Sequence, residues 1–367
     1  MEFRQFQRYK INKSDFQQLL KHLLKEKIVD KILSGEEKRK HFSIIPKYVT
    51  DPAELDEFPL SQLLVYGYSR TDSASNTLLH TKESLNTKIG VVGRACDVRA
   101  MIELDKKMQV KLENLFIISF HDVGYTPDKY FTKYFKKIEL DDTNIVHERL
   151  TPSELILKLK DGKQLKIPLG TDVKISNNCA RCTQKSHPLA DFLIGTYALP
   201  ENSEDYIITA QSARAKNIAE KLNWQGKLID ENLNQQYAKE AEEIILNCTT
   251  TREKELSEFL SNDDRFNLFI KCTGCGNCVR ACPVCFCTVC NLLEQVKAKT
   301  MDKVSFVMTR FSHVGDTCVE CGKCEVNCPV NLPLTSVFQS LRDKFKKERG
   351  YESGVSKTHK VLHLDVK

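Results

Sequence analysis

The residues best placed to do chemistry are cysteines, of which the 367-residue chain has fifteen. The pattern Cys-x2-Cys-x2-Cys-x3-Cys-Pro occurs twice, ending at Pro283 and at Pro329. In this pattern three closely spaced thiolates hold three corners of a 4Fe–4S cubane, and the fourth cysteine ligates the neighbouring cluster. We therefore predict two clusters, the first on Cys272, Cys275, Cys278 and Cys328, and the second on Cys318, Cys321, Cys324 and Cys282.

A zinc ribbon is the alternative interpretation of these motifs, because two Cys-x2-Cys pairs also make a four-thiolate zinc site. Zinc uses its cysteines as two pairs, whereas both copies here have three cysteines plus one, followed by proline. The spacing therefore favours iron–sulfur clusters.

Seven cysteines lie outside the two motifs. Cys248 is interpreted as a single buried thiol without chemistry of its own. Cys179 and Cys182 form another Cys-x2-Cys, and Cys285, Cys287 and Cys290 directly follow the first motif. We predict a third 4Fe–4S cluster on Cys179, Cys182, Cys287 and Cys290, with Cys96 and Cys285 as substitute ligands. The competing interpretation is that these thiols bind nothing.

Composition and charge exclude several classes of protein. No apolar run approaches 18 residues, which argues against a membrane span, and the start of the chain lacks the apolar stretch of a secretory signal. We therefore expect a cytoplasmic protein, where thiols stay reduced and bind metal. The net charge of +6 is spread along the chain, and anionic clusters would offset it, so nucleic-acid binding is not expected.

The elements that must position these cysteines suggest an α/β fold. We predict a buried strand at 89–92, a tight turn at Gly93, a helix from about Asp97 and a second strand at 115–120, which together form a βαβ unit. In an open parallel sheet, binding sites form where strands end and helices begin. The turn at residues 93–96 and the segment "HDVGY" (121–125) both lie at such points.

The rest of the chain divides into further predicted elements. An amphipathic helix covers residues 14–35, with a capping-box pattern at Ser14 and a stop at Gly35. A β-hairpin turns at Asp161-Gly162, a strand, loop and helix follow near 205–224, and helices cover 236–261 and about 335–347. The predicted domains are a helical segment (1–45), a flavin-binding α/β domain (46–262), a ferredoxin-like domain with two clusters (263–340) and a C-terminal tail (341–367) that is disordered or docks on a partner.

Five segments, in order, resemble the β-subunit family of coenzyme F420-dependent hydrogenases and formate dehydrogenases, most closely its formate dehydrogenase branch. They are "VGRACDVRAMIEL", "LFIISFHDVGY", "CARC…LADFLIG", "CTGCGNCVRACPVCFCTVC" and "CVECGKCEVNCPVNLPL". The resemblance spans about residues 60–335. It implies an α/β domain with FAD and a nearby 4Fe–4S cluster, a domain with two more clusters, and transfer of a hydride between the deazaflavin coenzyme and FAD.

The resemblance also implies site residues. Gly93, Arg94, Ala95 and Cys96 fall on the family's flavin-side Gly-x-Pro-Cys loop, with Ala95 in place of proline. Cys179, Cys182, Ala190, Asp191 and Gly195 fall on its CxxC–Ala-Asp–Gly motif. Two departures concern the cofactors: Asp122 stands where relatives often have cysteine, and "YSRTDSASNTLLH" lacks the Ser-Gly-Gly turn found near the flavin.

The leading hypothesis is an electron-transfer subunit that links coenzyme F420 to one-electron centres through FAD and three clusters. A partner chain would carry the formate, hydrogen or heterodisulfide chemistry, because no molybdopterin or nickel ligand set is present. A second hypothesis keeps the fold but uses NAD(P)H or protein donors alone. A third is a redox sensor or scaffold whose clusters are structural.

Overall fold

The computed structural model describes residues 6–362 and has a mixed α/β architecture. The prediction for the tail includes residues 363–367, which lie outside the described range. The strands are β1 (Gln7–Ile11), β2 (Lys31–Lys38), β3 (Lys40–Val49), β4 (Ile89–Arg94), β5 (Leu115–Phe120), β6 (Ile145–Leu150), β7 (Glu154–Leu159), β8 (Gln164–Pro168), β9 (Phe192–Gly195) and β10 (Tyr206–Ala210). The helices are α1 (Lys13–Lys25), α2 (Leu60–Val65), α3 (Ala74–Thr81), α4 (Ala95–Lys106), α5 (Phe131–Lys137), α6 (Asn177–Ala180), α7 (Ala213–Lys221), α8 (Glu231–Ser261), α9 (Asn277–Arg280), α10 (Asn291–Lys297), α11 (Lys303–Val314), α12 (Lys323–Val326) and α13 (Leu334–Arg349).

A seven-stranded sheet with the order β1-β10-β9-β5-β4-β2-β3 forms the centre of the α/β part. Strands β2, β4, β5 and β9 are parallel, while β1, β3 and β10 run antiparallel to their neighbours. The middle strands β4 and β5 are buried almost throughout because helices cover both faces, and their continuous apolar runs fit that position. The predicted βαβ unit is confirmed, with α4 as its crossover.

The N-terminal segment differs from its prediction. Helix α1 begins at an Asn12/Asp15 capping box and ends at Lys25, followed by Lys27 with φ of 53°. The β-branched residues beyond it continue as β2, which pairs with β4, so Gly35 lies in a strand and does not stop a helix. Within the predicted helical segment (1–45), the described residues 6–45 therefore do not form a separate unit, since β1, β2 and β3 belong to the central sheet.

The predicted hairpin is confirmed as β7 and β8, which form a small sheet with β6. The predicted strand, loop and helix correspond to β10 and α7, and the predicted long helix to α8. No helix of the described residues combines the length and apolar character needed to cross a membrane.

The cysteine-rich part is helical, because the described residues 263–340 include no strand. It packs on the α/β part through buried ion pairs. Glu320, which is 4% exposed, accepts from the Nη2 of Arg252 on α8 at 2.7 Å and lies 3.7 Å from Arg342 on α13. Breaking a buried charge network of this kind is costly, so the contact holds the two parts in one arrangement.

The segment after α13 returns to the α/β part, whereas disorder or a partner contact was expected. Tyr351 and Ser353 are buried, and the backbone N–H of Gly354 donates to Glu103 on α4 at 2.6 Å. A Cβ at Gly354 would lie 2.5 Å from the Cβ of Arg99, and its φ is 69°. Glycine there permits the close approach to α4.

Candidate functional site

The eight motif cysteines lie near one another in the structure, and their division into two cluster sites stays a prediction. Burial raises the pKa of the Cys272 thiol, the amide of Gly274 lowers it, and the thiolates of Cys275 and Cys328 raise it. Burial also raises the pKa of Cys318, and so do the thiolates of Cys321 and Cys282. Cys328 thus lies beside the first trio and Cys282 beside the second.

Backbone amides donate to these sulfurs, as they do in iron–sulfur sites. The N–H groups of Gly274, Glu320 and Leu332 each lie 3.4 Å from a cysteine sulfur, on Cys272, Cys318 and Cys328 respectively. Within the described residues, no three His, Cys, Asp or Glu side chains converge on the position of a single metal ion. The two thiol groups have the donor type and amide surroundings that suit a larger cubane.

Arg310 on α11 places a positive charge between the two groups. It is 4% exposed; its Nη2 donates to the Cys278 carbonyl at 3.4 Å and its Nη1 to the Cys285 sulfur at 3.7 Å. Burial lowers the guanidinium pKa, but the thiolates of Cys282, Cys285 and Cys278 raise it more. The side chain is therefore a permanent cation beside both groups.

A cavity opens where β4 and β5 end, which we call the strand-end cavity. Its walls include Gly93, Arg94 and Cys96 from the β4–α4 turn, Phe120 and Tyr125 from the end of β5, Tyr68 from the loop before α3, and Lys323 and Cys321 from the cysteine-rich part. The cavity volume is about 30 Å³, far below the roughly 300–1,000 Å³ usual for small-molecule sites, so the walls must separate for a ligand to enter. The cavity lies at the carboxyl ends of these strands, where open parallel sheets bind ligands.

The β4–α4 turn is held by the Asp97 side chain, which also joins it to helix α3. Asp97 accepts from the backbone N–H groups of Ser75 at 3.1 Å and Arg94 at 3.0 Å. A Cβ on Gly93 would lie 3.2 Å from Ala74 and from Asp97. The turn therefore has no room for a larger residue, which explains the glycine that the sequence pattern singled out.

Two features of the strand-end cavity suit a polar aromatic ligand. The Tyr125 hydroxyl is buried and has no hydrogen-bond partner among the residues that the structure describes, which is costly unless a ligand supplies one. The Lys323 ammonium donates to the Tyr68 carbonyl and lies 5.5 Å from the Tyr125 ring centroid. The walls combine aromatic surface with a few polar groups, as is common in small-molecule sites.

A second, larger cleft beside it is strongly basic. Its volume is about 540 Å³, and its charged lining residues are Lys38, Arg39, Lys40, Arg70, Lys129 and Asp128. We call it the basic cleft. The Arg70 backbone joins it to the strand-end cavity, because the Arg70 carbonyl accepts from Lys323 at 3.4 Å. Five cations facing one carboxylate suit an anionic ligand such as a phosphate chain. Sequence reasoning missed this site because its charges come from distant segments.

The remaining cysteines are grouped differently from the predicted third cluster. Cys96, Cys179 and Cys182 line one cavity behind Arg94, which Cys321 of the second motif also lines; we call it the three-cysteine cavity after the three cysteines that lie outside the motifs. Cys287 and Cys290 line another cavity, with Cys285. The predicted set of Cys179, Cys182, Cys287 and Cys290 is therefore not brought together, because α4, which carries Cys96, contacts the CxxC loop instead.

Three cations, Arg94, Arg99 and Lys185, outnumber the two carboxylates of Asp122 and Glu320 in the three-cysteine cavity. Arg99 donates to the Cys182 sulfur at 3.9 Å, and the Lys185 ammonium donates to the Cys179 carbonyl at 2.7 Å. Arg94 donates to Asp122. Buried cations need counter-charge, and a thiolate-bound iron–sulfur cluster provides it. The residues therefore fit a third cluster with Cys96 as a ligand.

Asp191 and Gly195 lie elsewhere and do not line either cavity. The Asp191 carboxylate accepts from the Ile117 amide at 2.9 Å and from the Ser212 hydroxyl at 2.7 Å, and pairs with Arg214. A Cβ on Gly195 would lie 2.1 Å from the His121 carbonyl oxygen. Asp191 and Gly195 were expected to contact a cofactor, but in the structure they support the fold. Asp191 joins β5 to α7, and Gly195 lets β9 approach the end of β5.

Comparison with protein families gives two matches. Residues 86–236 match the family model that describes the C terminus of the coenzyme F420 hydrogenase/dehydrogenase beta chain. Residues 269–353 match a 4Fe-4S dicluster domain. The first match contains the β4–α4 turn and the CxxC loop, and the second contains all eight motif cysteines.

Two relatives match over most of their length. The F420-dependent formate dehydrogenase subunit beta of Methanocaldococcus jannaschii is 26% identical, with 92% of this chain and 90% of that protein covered. The F420-dependent formate dehydrogenase 1 subunit beta of Methanococcus maripaludis is 28% identical, with 92% and 89% covered.

The fold also resembles a chain in a solved structure of the F420-reducing [NiFe] hydrogenase complex from Methanosarcina barkeri. The TM-score is 0.53 at 14% identity, and the match covers 69% of this chain and 92% of that chain. The matches together support an iron–sulfur oxidoreductase subunit. The chain is thus similar to the C terminus of the coenzyme F420 hydrogenase/dehydrogenase beta subunit over residues 86–236 and to a 4Fe–4S dicluster domain over residues 269–353, and the family resemblance drawn from its motifs is confirmed.

Proposed function

We propose that this chain is an electron-transfer subunit that binds FAD in the strand-end cavity and connects it to 4Fe–4S clusters. The observation that carries the proposal is the position of Cys321, which belongs to the second cluster motif and also lines the strand-end cavity. A flavin, when bound, accepts a hydride and releases its electrons one at a time. One protein wall would thus serve both a two-electron and a one-electron centre.

The flavin site is proposed from the cavity walls. The Tyr125 hydroxyl and the Lys323 ammonium supply hydrogen-bond donors, and Tyr68, Phe120 and Tyr125 supply aromatic surface. The basic cleft, which adjoins this cavity at Arg70, would hold the anionic part of the bound molecules. The segment "YSRTDSASNTLLH", which lacks the Ser-Gly-Gly turn, borders this cavity, since Tyr68, Asp72 and Ser73 all line it.

The route out is proposed from the two motif groups. Cys318 and Cys321 are partly buried, and Cys324 interacts electrostatically with both Cys282 and Cys278. Cys275, in the first motif, is exposed. Electrons would therefore pass from the strand-end cavity to the second group, then to the first, and leave near Cys275 toward a partner protein.

A third cluster is proposed in the three-cysteine cavity on Cys96, Cys179 and Cys182. Asp122 faces the same cavity and would be the fourth ligand, exchanging its Arg94 contact for iron. Carboxylate oxygen is a harder ligand than thiolate and would change the cluster's potential.

The hydride carrier is proposed to be coenzyme F420, because the names of both relatives with long matches specify F420-dependent enzymes. The partner would be a formate dehydrogenase catalytic chain or a related hydrogenase or heterodisulfide-reductase-like complex. A cytoplasmic setting is part of the proposal, because all fifteen cysteines are free thiols and such thiols persist in reducing compartments. NAD(P)H as donor remains the second candidate, since the basic cleft would also suit its phosphates.

The test is cofactor analysis of the chain purified without oxygen, followed by mixing with each carrier. We expect about twelve irons and one FAD per chain, and bleaching of the flavin by reduced F420 but not by NADH. About eight irons would remove the third cluster. A colourless protein without flavin, or one holding only zinc, would contradict the proposal.

A further inference from the structure

Three thiols remain without a role, and they share one open groove. Cys285, Cys287 and Cys290 line a cavity of about 380 Å³ with Phe286, Lys107 and Arg310; we call it the thiol groove. It is separate from the three-cysteine cavity, and its cysteines are not needed for the two motif groups. Cys287 is exposed, and Cys290 is partly buried.

We propose that Cys287 and Cys290 form a redox-active dithiol that exchanges with a small disulfide bound in the thiol groove. The two residues have the Cys-x-x-Cys spacing of "CTVC", which allows a short-loop disulfide and is the spacing used by thiol–disulfide oxidoreductases. Burial has the largest effect on the Cys285 thiol and raises its pKa, while Arg310 lowers it. Cys287 and Cys290 are both close enough to Cys285 to raise that pKa further. The three sulfurs therefore occupy one neighbourhood.

The exchange balances within the groove. The exposed Cys287 thiolate attacks one sulfur of the bound disulfide, which forms a mixed disulfide and releases one thiol. Cys290 then attacks the Cys287 sulfur, which forms the Cys287–Cys290 disulfide and releases the second thiol. Two cysteine thiols are oxidised and one substrate disulfide is reduced to two thiols, with both protons passing to the products. Exchange with an external dithiol runs the same steps in reverse.

The groove defines the class of disulfide. Its walls include the apolar side chains of Val284, Val289, Leu292 and Val314, and the ammonium of Lys107 lies 5.1 Å from the Phe286 ring centroid. Val289 is 71% exposed and Phe286 40%, so the apolar surface is open to a ligand. A small disulfide with an apolar arm and an anionic end fits these walls, because the arm covers exposed apolar surface and the anion pairs with Lys107.

The test uses the full chain with its clusters, kept without oxygen. Samples poised with oxidised lipoic acid or with dithiothreitol are quenched in acid, alkylated and mapped by mass spectrometry. We expect the lipoic acid sample to lose two alkylatable thiols, both in a Cys287–Cys290 link, and dithiothreitol to restore them. Cys287→Ser should abolish the link and keep wild-type iron, whereas the control Thr288→Ala, which keeps both thiols, should retain it.

Two outcomes would overturn the inference. One is full alkylation of Cys287 and Cys290 in both samples. The other is loss of about four irons from Cys287→Ser, which would make the thiols cluster ligands. The inference is independent of the proposed function: flavin and iron content of the wild-type chain test that function, while the disulfide link is read from the cysteines themselves.

Discussion

Arg310 offers the sharpest test of how the protein sets the potentials of its clusters. Arg310→Gln removes a buried charge that lies beside both cysteine groups but keeps an amide at the position. A unit charge about 7 Å from a cluster contributes roughly 2 kcal/mol at an effective dielectric constant near 20. For a one-electron couple this corresponds to about 100 mV. Because the lost positive charge stabilised the added electron, the midpoint potentials should fall, by about 50–100 mV after solvent relaxation.

The assay is a dye-mediated redox titration without oxygen, followed by low-temperature EPR of the reduced clusters. Arg280→Gln is the matched control, because Arg280 also contacts the first group, donating to the Cys275 carbonyl at 2.8 Å, but is exposed. Screening by water and salt should keep its shift much smaller. With iron content intact in both variants, a shift in Arg310→Gln no larger than in Arg280→Gln, or one to higher potential, would refute the reasoning.

Four further predictions concern other parts of the molecule. Asp122→Ala should lose about one iron per chain and gain a 3Fe–4S EPR signal, while Asp122→Cys should keep the wild-type iron content. Unchanged iron content and spectra in Asp122→Ala would show that Asp122 is not a cluster ligand. Gly195→Ala should cost about 2 kcal/mol or more of unfolding free energy, because its Cβ meets the His121 carbonyl, whereas Gly170→Ala, which has open space, should be near neutral in the same denaturant titration. Asp191→Asn should lower stability by about 1–3 kcal/mol without changing flavin content per folded chain, and a selective loss of flavin would restore Asp191 to the cofactor site. Burial and Arg99 hold the pKa of His187 down to about 4. Unfolding therefore takes up a proton below pH 6.5, and the unfolding free energy should fall as pH drops from 6.5 toward 4, by up to about 1.4 kcal/mol per pH unit. His187→Gln should flatten that slope in pH-dependent urea titrations, and an unchanged slope would contradict this prediction.

The sequence predicted those parts of the fold that local patterns determine. The strand at Ile89, the helix after Gly93 and the strand at Leu115 were recognisable because continuous apolar runs and a tight turn specify a βαβ unit without help from distant residues. The hairpin at Asp161-Gly162 was equally local. The helix expected to run to Gly35 was not, because pairing of Ile32 and Leu33 with β4 prevails over the helical periodicity.

The candidate site also has parts that local spacing predicts and parts that depend on how distant segments pack. Spacing was enough to predict which motif cysteines lie close together, since three closely spaced cysteines and a fourth before proline recur in each motif. Spacing could not group Cys96 with Cys179, because their proximity depends on how α4 meets the loop after α6. Spacing also could not show that Asp191 lies away from the strand-end cavity. Its partners there, Ile117 on β5 and Arg214 on α7, come from distant parts of the sequence.

The central claim is that the strand-end cavity holds a flavin next to the cluster that includes Cys321. The most direct measurement is a titration of the oxygen-free chain with reduced F420, in which visible absorbance reports the flavin and EPR reports the clusters. We expect sub-stoichiometric carrier to bleach the flavin and produce reduced-cluster signals together, and Cys321→Ser to uncouple the two. Clusters that stay oxidised beside a fully bleached flavin, or a chain that contains no flavin, would contradict the claim.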